Sequence, residues 1–248
     1  MYSFFIFILG LIVGSFLNVV ILRLGTKKSF FTGRSQCPCC GKKIAAYDNI
    51  PLVSFILLRG HCRNCKKNIS WQYPLIELLT AFIFVWFSLR FGLTAQFLIY
   101  SIFSSFLIVI FVYDLKNYLI LDQITIPAMV IAFFSSLYLG LGLGNIILAA
   151  IIGSGFFALQ YFISKGKWVG DGDIRLGALM GLMLGWKFLL VALFLAYIIG
   201  SIFGLTLILV GKKKMSSAVP FGPFLTLGTF IALIYGQSIL NWYFNLLY

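Results

Sequence analysis

Residues 3–22 form an apolar run without a single charge, and predominantly apolar runs return at 74–91, 95–113, 122–140, 144–164, 174–186, 187–210 and 222–246. A hydrocarbon core is crossed by roughly 20 helical residues, and most of these runs approach that length. Backbone amides in lipid find no water, so such runs must close their hydrogen bonds within a helix. The stretch 174–210 is too long for one crossing. It contains Gly185-Trp186-Lys187 and is divided there, its first piece short and packed among neighbours. The expected fold is an all-α polytopic membrane protein, a bundle of about eight transmembrane helices, with seven as the alternative. Composition agrees: 61% of residues are apolar and 10% charged, against about 25% charged in an ordinary soluble domain. A soluble globule and a disordered chain are both excluded.

The run 3–22 has no basic segment ahead of it and no small-residue cleavage site after it, so it is expected to remain as a span. The net charge of +13 comes from 19 Lys+Arg against six acids. In a soluble protein this balance would suggest nucleic acid, but in a membrane protein cations collect in cytoplasmic loops. With the N-terminus outside and 23–73 in the cytoplasm, 17 of the 19 cations lie inside, and only Arg90 and Lys187 lie outside. The six acids, Asp48, Glu77, Asp114, Asp122, Asp171 and Asp173, fall on the same side. Their coincidence makes a shared cytoplasmic site an expectation. The expected organisation is a first span at 1–22, a Cys-rich cytoplasmic loop domain at 23–73, and a transmembrane catalytic bundle at 74–248.

Glycines recur every fourth residue at Gly177, Gly181 and Gly185, and again at Gly200 and Gly204. Such spacing lets helix backbones approach closely. No internal repeat of fixed period is visible.

All five cysteines lie in 23–73. Cys37-Pro38-Cys39-Cys40 supplies one C-x-x-C and Cys62-Arg63-Asn64-Cys65 the second, which together suit a tetrahedral structural Zn²⁺. A reducing cytoplasm favours metal over disulfide. Lys42, Arg63 and Lys66 would offset the surplus negative charge of four thiolates. Cys39 is surplus, and His61 is expected to be a loop residue because four cysteines complete the site. A redox role for the two pairs is the weaker rival.

Asp114 ends the third span and Asp173 opens the sixth within Gly170-Asp171-Gly172-Asp173. Charged groups at the bilayer edge are costly without a function or partner. Two adjacent carboxylates cannot both ionise easily, which suits one as acid and the other as base. The bland alternative pairs these acids with Lys116, Arg175 and other cations. A metal site built from the same acids also stays open, because sequence separation does not prove that Asp114 and Asp173 meet.

Several motifs now line up in order. Gly14-Ser15-Phe16-Leu17-Asn18-Val19-Val20-Ile21 precedes Arg23. The paired cysteine motifs follow, then Ile69-Ser70-Trp71-Gln72-Tyr73-Pro74 with Glu77, then Gly170–Asp173 with Ile174-Arg175-Leu176, and finally Pro220-Phe221-Gly222-Pro223-Phe224. This ordered set resembles the bacterial prepilin peptidases, or type IV leader peptidases, membrane aspartic proteases with a G-x-G-D motif. The resemblance spans nearly the whole chain. Where that family usually reads Ile-Pro-Asp, this chain has Ile120-Leu121-Asp122.

The resemblance implies an endopeptidase of the bacterial inner membrane that removes the basic leader of type IV prepilins or pseudopilins at the cytoplasmic face. Asp114 and Asp173 take the catalytic positions, with Asp122, Asp171 and Glu77 as supporting acids and Cys37, Cys40, Cys62 and Cys65 as zinc ligands. Family members with the cysteine loop often also methylate the new N-terminus from S-adenosylmethionine. No Rossmann-type glycine fingerprint is visible here, and Glu77 with Gly14–Asn18 would support that activity. The expected partners are a prepilin or pseudopilin and a bilayer with anionic headgroups, and no nucleic acid. Two other classes compete. A transporter would use the acids as ion ligands but favours the membrane midplane. A scaffold would explain the basic zinc loop and leave the acid pair without a role.

Overall fold

A computed structural model of the chain describes residues 2–26, 29–30, 33–211 and 219–247. Lys27, Lys28 and Lys212–Lys214 lie outside the described residues. The described residues form an all-helical protein: α1 (Tyr2–Arg23), a 3₁₀ turn (Ala46–Asn49), α2 (Val53–Leu57), α3 (Gln72–Phe91), α4 (Ala95–Asn117), α5 (Asp122–Tyr138), α6 (Leu143–Ser164), α7 (Asp171–Leu209) and α8 (Gly222–Leu247). Among them α1, α3, α4, α6, α7 and α8 are long and apolar enough to cross a membrane, and α5 is a shorter apolar helix of 17 residues.

The 39-residue α7 is two helices in sequence. Gly185 has φ 71° and ψ 169°, a backbone state that side-chain-bearing residues rarely adopt. The Asn145 side-chain oxygen accepts the Trp186 N–H at 3.0 Å and closes the start of the second piece. Contacts along α6 give the direction of each piece. Gly181 lies against Ala149 and Gly177 against Gly153, so 171–184 (α7a) runs antiparallel to α6. Trp186 meets Asn145 and Tyr197 meets Gln160, so 186–209 (α7b) runs back parallel to α6. With α7 divided and α5 counted, eight apolar helical segments result among the described residues, against six undivided helices long enough to cross a membrane.

The chain forms two compact units, Met1–Ser105 and Phe106–Tyr248. In the first, α1 packs on α3 at two glycines: a methyl group at Gly10 would lie 2.5 Å from the Ala81 Cα, and one at Gly14 would lie 2.7 Å from the Glu77 Cα. Edge-on rings of Phe87, Phe91 and Tyr100 join α3 to the start of α4. In the second unit, α7a packs on α6 through the expected glycines, and α7b packs on α8, with Gly236 facing the Phe188 ring. Gly200 touches the Phe221 and Phe224 rings, whereas Gly204 faces open space and takes no part in packing. Most large side chains on the outer faces of α1, α5 and α6 are exposed apolar groups, such as Phe4, Phe134 and Phe162. Lipid is the solvent that suits them.

Candidate active site and metal centre

The polar loop between α1 and α3 is built on one turn used twice. In the first copy the Cys37 N–H donates to the Lys42 carbonyl, the Gly41 N–H to the Cys37 carbonyl and the Ile44 N–H to the Ser35 carbonyl. In the second, Cys62 donates to Lys67, Lys66 to Cys62 and Ile69 to Gly60. Each knuckle is crossed by one antiparallel bridge, Gln36 with Lys43 and His61 with Asn68. This is a two-copy repeat at an offset of 25 residues, hidden because only the cysteines, one lysine and the isoleucine are identical between copies. The residue after the second cysteine has a left-handed backbone in both copies: Gly41 at φ 68° and Lys66 at φ 59°.

The repeated turns bring the sulfurs of Cys37, Cys40, Cys62 and Cys65 within 4.8 Å of one another. Cys37 and Cys65 lie 3.8 Å apart and no cysteine is in a disulfide. Zn–S bonds of about 2.3 Å at tetrahedral angles place sulfurs about 3.8 Å apart, so the quartet fits such an ion. Backbone N–H groups of Cys40 and Cys39 draw the Cys37 thiol down to about 6. Those of Cys65 and Asn64 lower Cys62 likewise. Cys65 accepts the Lys67 N–H, yet burial and the neighbouring thiols push it up to about 12. Four thiols this close cannot all ionise without a cation between them. His61 stands outside the quartet, its Nδ1 bonded to the Arg59 carbonyl at 2.6 Å, and Cys39 is exposed.

Two of the six acids belong to this unit's architecture. Asp48 receives Arg63 in a forked pair, Nε to Oδ2 at 2.8 Å and Nη2 to Oδ1 at 2.7 Å, and this guanidinium holds its carboxyl below the usual range. Arg63 also lies over the Tyr47 ring, so it ties the second knuckle to the 3₁₀ turn. Glu77 is buried in α3, where its Oε2 accepts the Leu52 N–H at 2.9 Å and its carboxylate bonds the Ser15 side chain. Beside it the Asn18 amide donates to the Gly14 and Tyr73 carbonyls, and Gln72 donates to Asn18. These bonds join α1, α3 and the loop. Backbone meets backbone at Gly14, which is taken up by the packing of α1 on α3.

The other four acids meet in the second unit. Asp114, near the end of α4, is 4% exposed, and Asp173, in the first turn of α7a, is 7% exposed. The Gly170 N–H donates to Asp173 Oδ2 at 2.9 Å, which caps the helix and fixes that carboxylate. The Gly222 N–H, at the start of α8, donates to the Asp114 carboxylate. Asp114 lies within electrostatic reach of Asp173. Ile120 holds the three elements together: its Cβ would lie 2.8 Å from a methyl group at Gly172, and its Cδ1 3.3 Å from one at Gly222. A side chain at Gly222 would also lie 2.5 Å from Asp114 Oδ2. Asp122 and Asp171 share Arg175, Nη1 reaching Asp122 and Nη2 reaching Asp171 at 2.5 Å. Both outer acids are more than half exposed, so one net negative charge faces outward beside the buried pair. Leu121 takes an extended backbone at the start of α5 (φ −97°, ψ 141°), so the helix begins at Asp122 without a proline.

Residues 8–91 match the bacterial peptidase A24 N-terminal domain, and residues 101–205 match the type IV leader peptidase family. A prepilin leader peptidase/N-methyltransferase of Bacillus subtilis (strain 168) is 35% identical over 248 residues, covering 97% of this chain and 97% of the relative. The chain belongs to the type IV leader peptidase family. A relative of the same printed name from Aeromonas salmonicida (strain A449) is 34% identical and covers 99% of this chain and 94% of its own. One from Legionella pneumophila is 32% identical over 94% of this chain and 91% of its own. No solved structure matches the chain.

Within this family member, the motif glycines act at contacts rather than as ligands. Gly222 is the residue whose role the sequence conceals most. Its signal is membership of the Pro220–Phe224 motif, which gives the glycine no role of its own. Ile120 is legible only as the first residue of Ile120-Leu121-Asp122, with nothing to mark it as a contact.

Proposed function

We propose that this leader peptidase is an aspartic endopeptidase in which Asp114 and Asp173 act together on water. The observation that carries this reading is the pair itself: two buried carboxylates, each anchored by a glycine N–H, within electrostatic reach in an apolar bundle. The substrate is a type IV prepilin or pseudopilin whose apolar helix lies in the membrane and whose basic leader projects into the cytoplasm. One ionised carboxylate takes a proton from water as its oxygen attacks the scissile carbonyl carbon. The other, protonated, donates toward the carbonyl oxygen. When the C–N bond breaks, the leaving amine takes up a proton from the pair, and one ionised and one protonated carboxylate are restored. The surplus charge of Asp122 and Asp171 over Arg175 would receive the cations of a basic leader. Charge reversal at either acid would then weaken leader processing.

The arrangement in the membrane follows the cations: N-terminus outside, with the cysteine loop (23–73) and the acid pair facing the cytoplasm of a bacterial inner membrane, preferably among anionic lipids. The span 1–22 and the bundle 74–248 flank that loop. A structural Zn²⁺ on Cys37, Cys40, Cys62 and Cys65 would replace the missing core of so small a segment.

A second activity, N-methylation of the new N-terminus from S-adenosylmethionine, is supported by the names of the relatives. Glu77 and Gly14–Asn18 are the residues that would support it.

The test is cleavage of a prepilin by the purified chain in detergent with no other protein added. Appearance of the trimmed product supports the peptidase. A folded chain that leaves the prepilin whole returns weight to the transporter and scaffold readings. Incubation with S-adenosylmethionine then shows whether the product gains the mass of one methyl group.

A further inference from the structure

Peptide-bond hydrolysis at the membrane edge requires more than two acids. The substrate segment is helical, and a helical peptide bond is shielded by its own turns. Once unwound, its N–H and C=O groups lose their partners in a medium that supplies none. A peptidase here needs side chains that replace those partners, at the depth of its acid pair.

One polar pair meets that requirement. The hydroxyl of Tyr197 on α7b donates to Gln160 Oε1 on α6 at 2.9 Å. The turn at Gly185 sets their depth: Asp173 stands twelve residues before it and Tyr197 twelve residues after it. At 1.5 Å per residue both lie about 18 Å from the turn, on antiparallel pieces, and therefore at one level. The wall around Tyr197 is aromatic: its ring packs edge-on to Phe156 at 5.9 Å and Phe221 at 5.0 Å. Phe221 adjoins Gly222, the residue that anchors Asp114. Tyr197 is 38% exposed and Gln160 is half-buried, so the pair opens outward rather than into the core.

Its hydrogen-bonding capacity is incomplete. Gln160 Nε2 donates to the Phe156 carbonyl at 3.4 Å, and among the described residues its second N–H has no recorded acceptor. The Tyr197 oxygen donates its one hydrogen and keeps its lone pairs. One open donor beside one open acceptor matches a peptide group, whose carbonyl would face Gln160 and whose N–H would face Tyr197.

We propose that Gln160 and Tyr197 form a subsite for the unwound backbone of the substrate beside its scissile bond. The inference rests on the peptidase reading above. The apolar helix of the substrate lies along Phe156 and Phe221, and the pair takes over hydrogen bonds that the helix gives up as it opens toward Asp114 and Asp173.

The experiment compares wild type with Gln160→Leu and Tyr197→Phe on two prepilins, one native and one with paired glycines just beyond the cleavage point, where the helix is already weakened. Each variant should lose about tenfold in kcat/KM on the native substrate, the worth of about one hydrogen bond to the backbone. On the glycine substrate the loss should shrink to about twofold, with thermal stability unchanged on either variant. An equal loss on both substrates, or none on the native one, overturns the subsite and leaves the peptidase standing. Failure of wild type to cut either substrate overturns the peptidase reading and the subsite with it.

Discussion

Cys37 and Cys40 reach their positions through one tight turn closed by backbone hydrogen bonds, and Cys62 and Cys65 repeat that turn 25 residues later. Asp114 and Asp173 stand 59 residues apart and come within electrostatic reach where Gly172 of α7a and Gly222 of α8 close on Ile120, with Gly222 also against Asp114. The cysteine quartet is thus local, and its geometry is written into two short segments. The acid pair is non-local, and its geometry depends on residues that carry no reactive group. The two sites should therefore fail differently. The cysteine site is lost through its ligands, and the acid site can be lost through a methyl group placed several residues away.

The largest effect is expected from Gly222→Val. A side chain there meets the Asp114 carboxylate and Ile120, and misplacement of a catalytic group by about 1 Å costs about a hundredfold in rate. Prepilin cleavage should fall at least that far while metal content stays at the wild-type value. Retention of activity would show that the acid pair does not depend on close approach at that glycine.

Next comes Cys62→Ser. Metal content of the purified protein should drop from one equivalent to none, and the loop should become open to proteolytic nicking, because metal-binding energy is folding energy in so small a segment. Unchanged metal content would remove Cys62 from the site.

Acid titration sharpens the same point. Cys37 is an acid of pKa about 6 whose ionised form the metal requires. The other thiols must lose their protons too, and Cys65 holds its proton up to about 12, so apparent metal affinity should fall continuously as pH drops and most steeply below about 6. Metal release that is flat with pH would contradict thiolate ligation.

The smallest effect belongs to the backbone of the knuckles. Lys66→Gly relieves a left-handed conformation and should stabilise the loop by about 1 kcal/mol, whereas Gly41→Val should cost about as much or more. Equal and opposite responses in loop melting would show that the two turns are equivalent in energy as well as shape.

The sequence discloses these sites unevenly for physical reasons. Helix lengths follow from apolar runs, and the division of α7 follows from Gly185 interrupting a run too long for one crossing. The cysteine quartet is legible because ligand spacing is a property of a single turn. The duplication around it is not, since it lies in backbone hydrogen bonds that Gly41 and Lys66 serve equally. The acids show themselves by their rarity, but rarity does not sort them. Asp48 is held by Arg63 and Glu77 by Leu52, both within the first unit, whereas the other four lie in the second. Ile120 and Gly222 hold that cluster together and have no chemistry to announce it. Gly204 has the right spacing for close packing and faces open space, because spacing fixes a helix face but not what lies opposite.

The central claim is that Asp114 and Asp173 act as one catalytic unit, and the most direct measurement is prepilin cleavage by purified Asp114→Asn, Asp173→Asn and the double variant. Groups that act as a unit are not additive. Each single variant should remain folded, retain its metal and lose cleavage to the same residual level as the double. Cleavage that survives in either single variant would contradict the account.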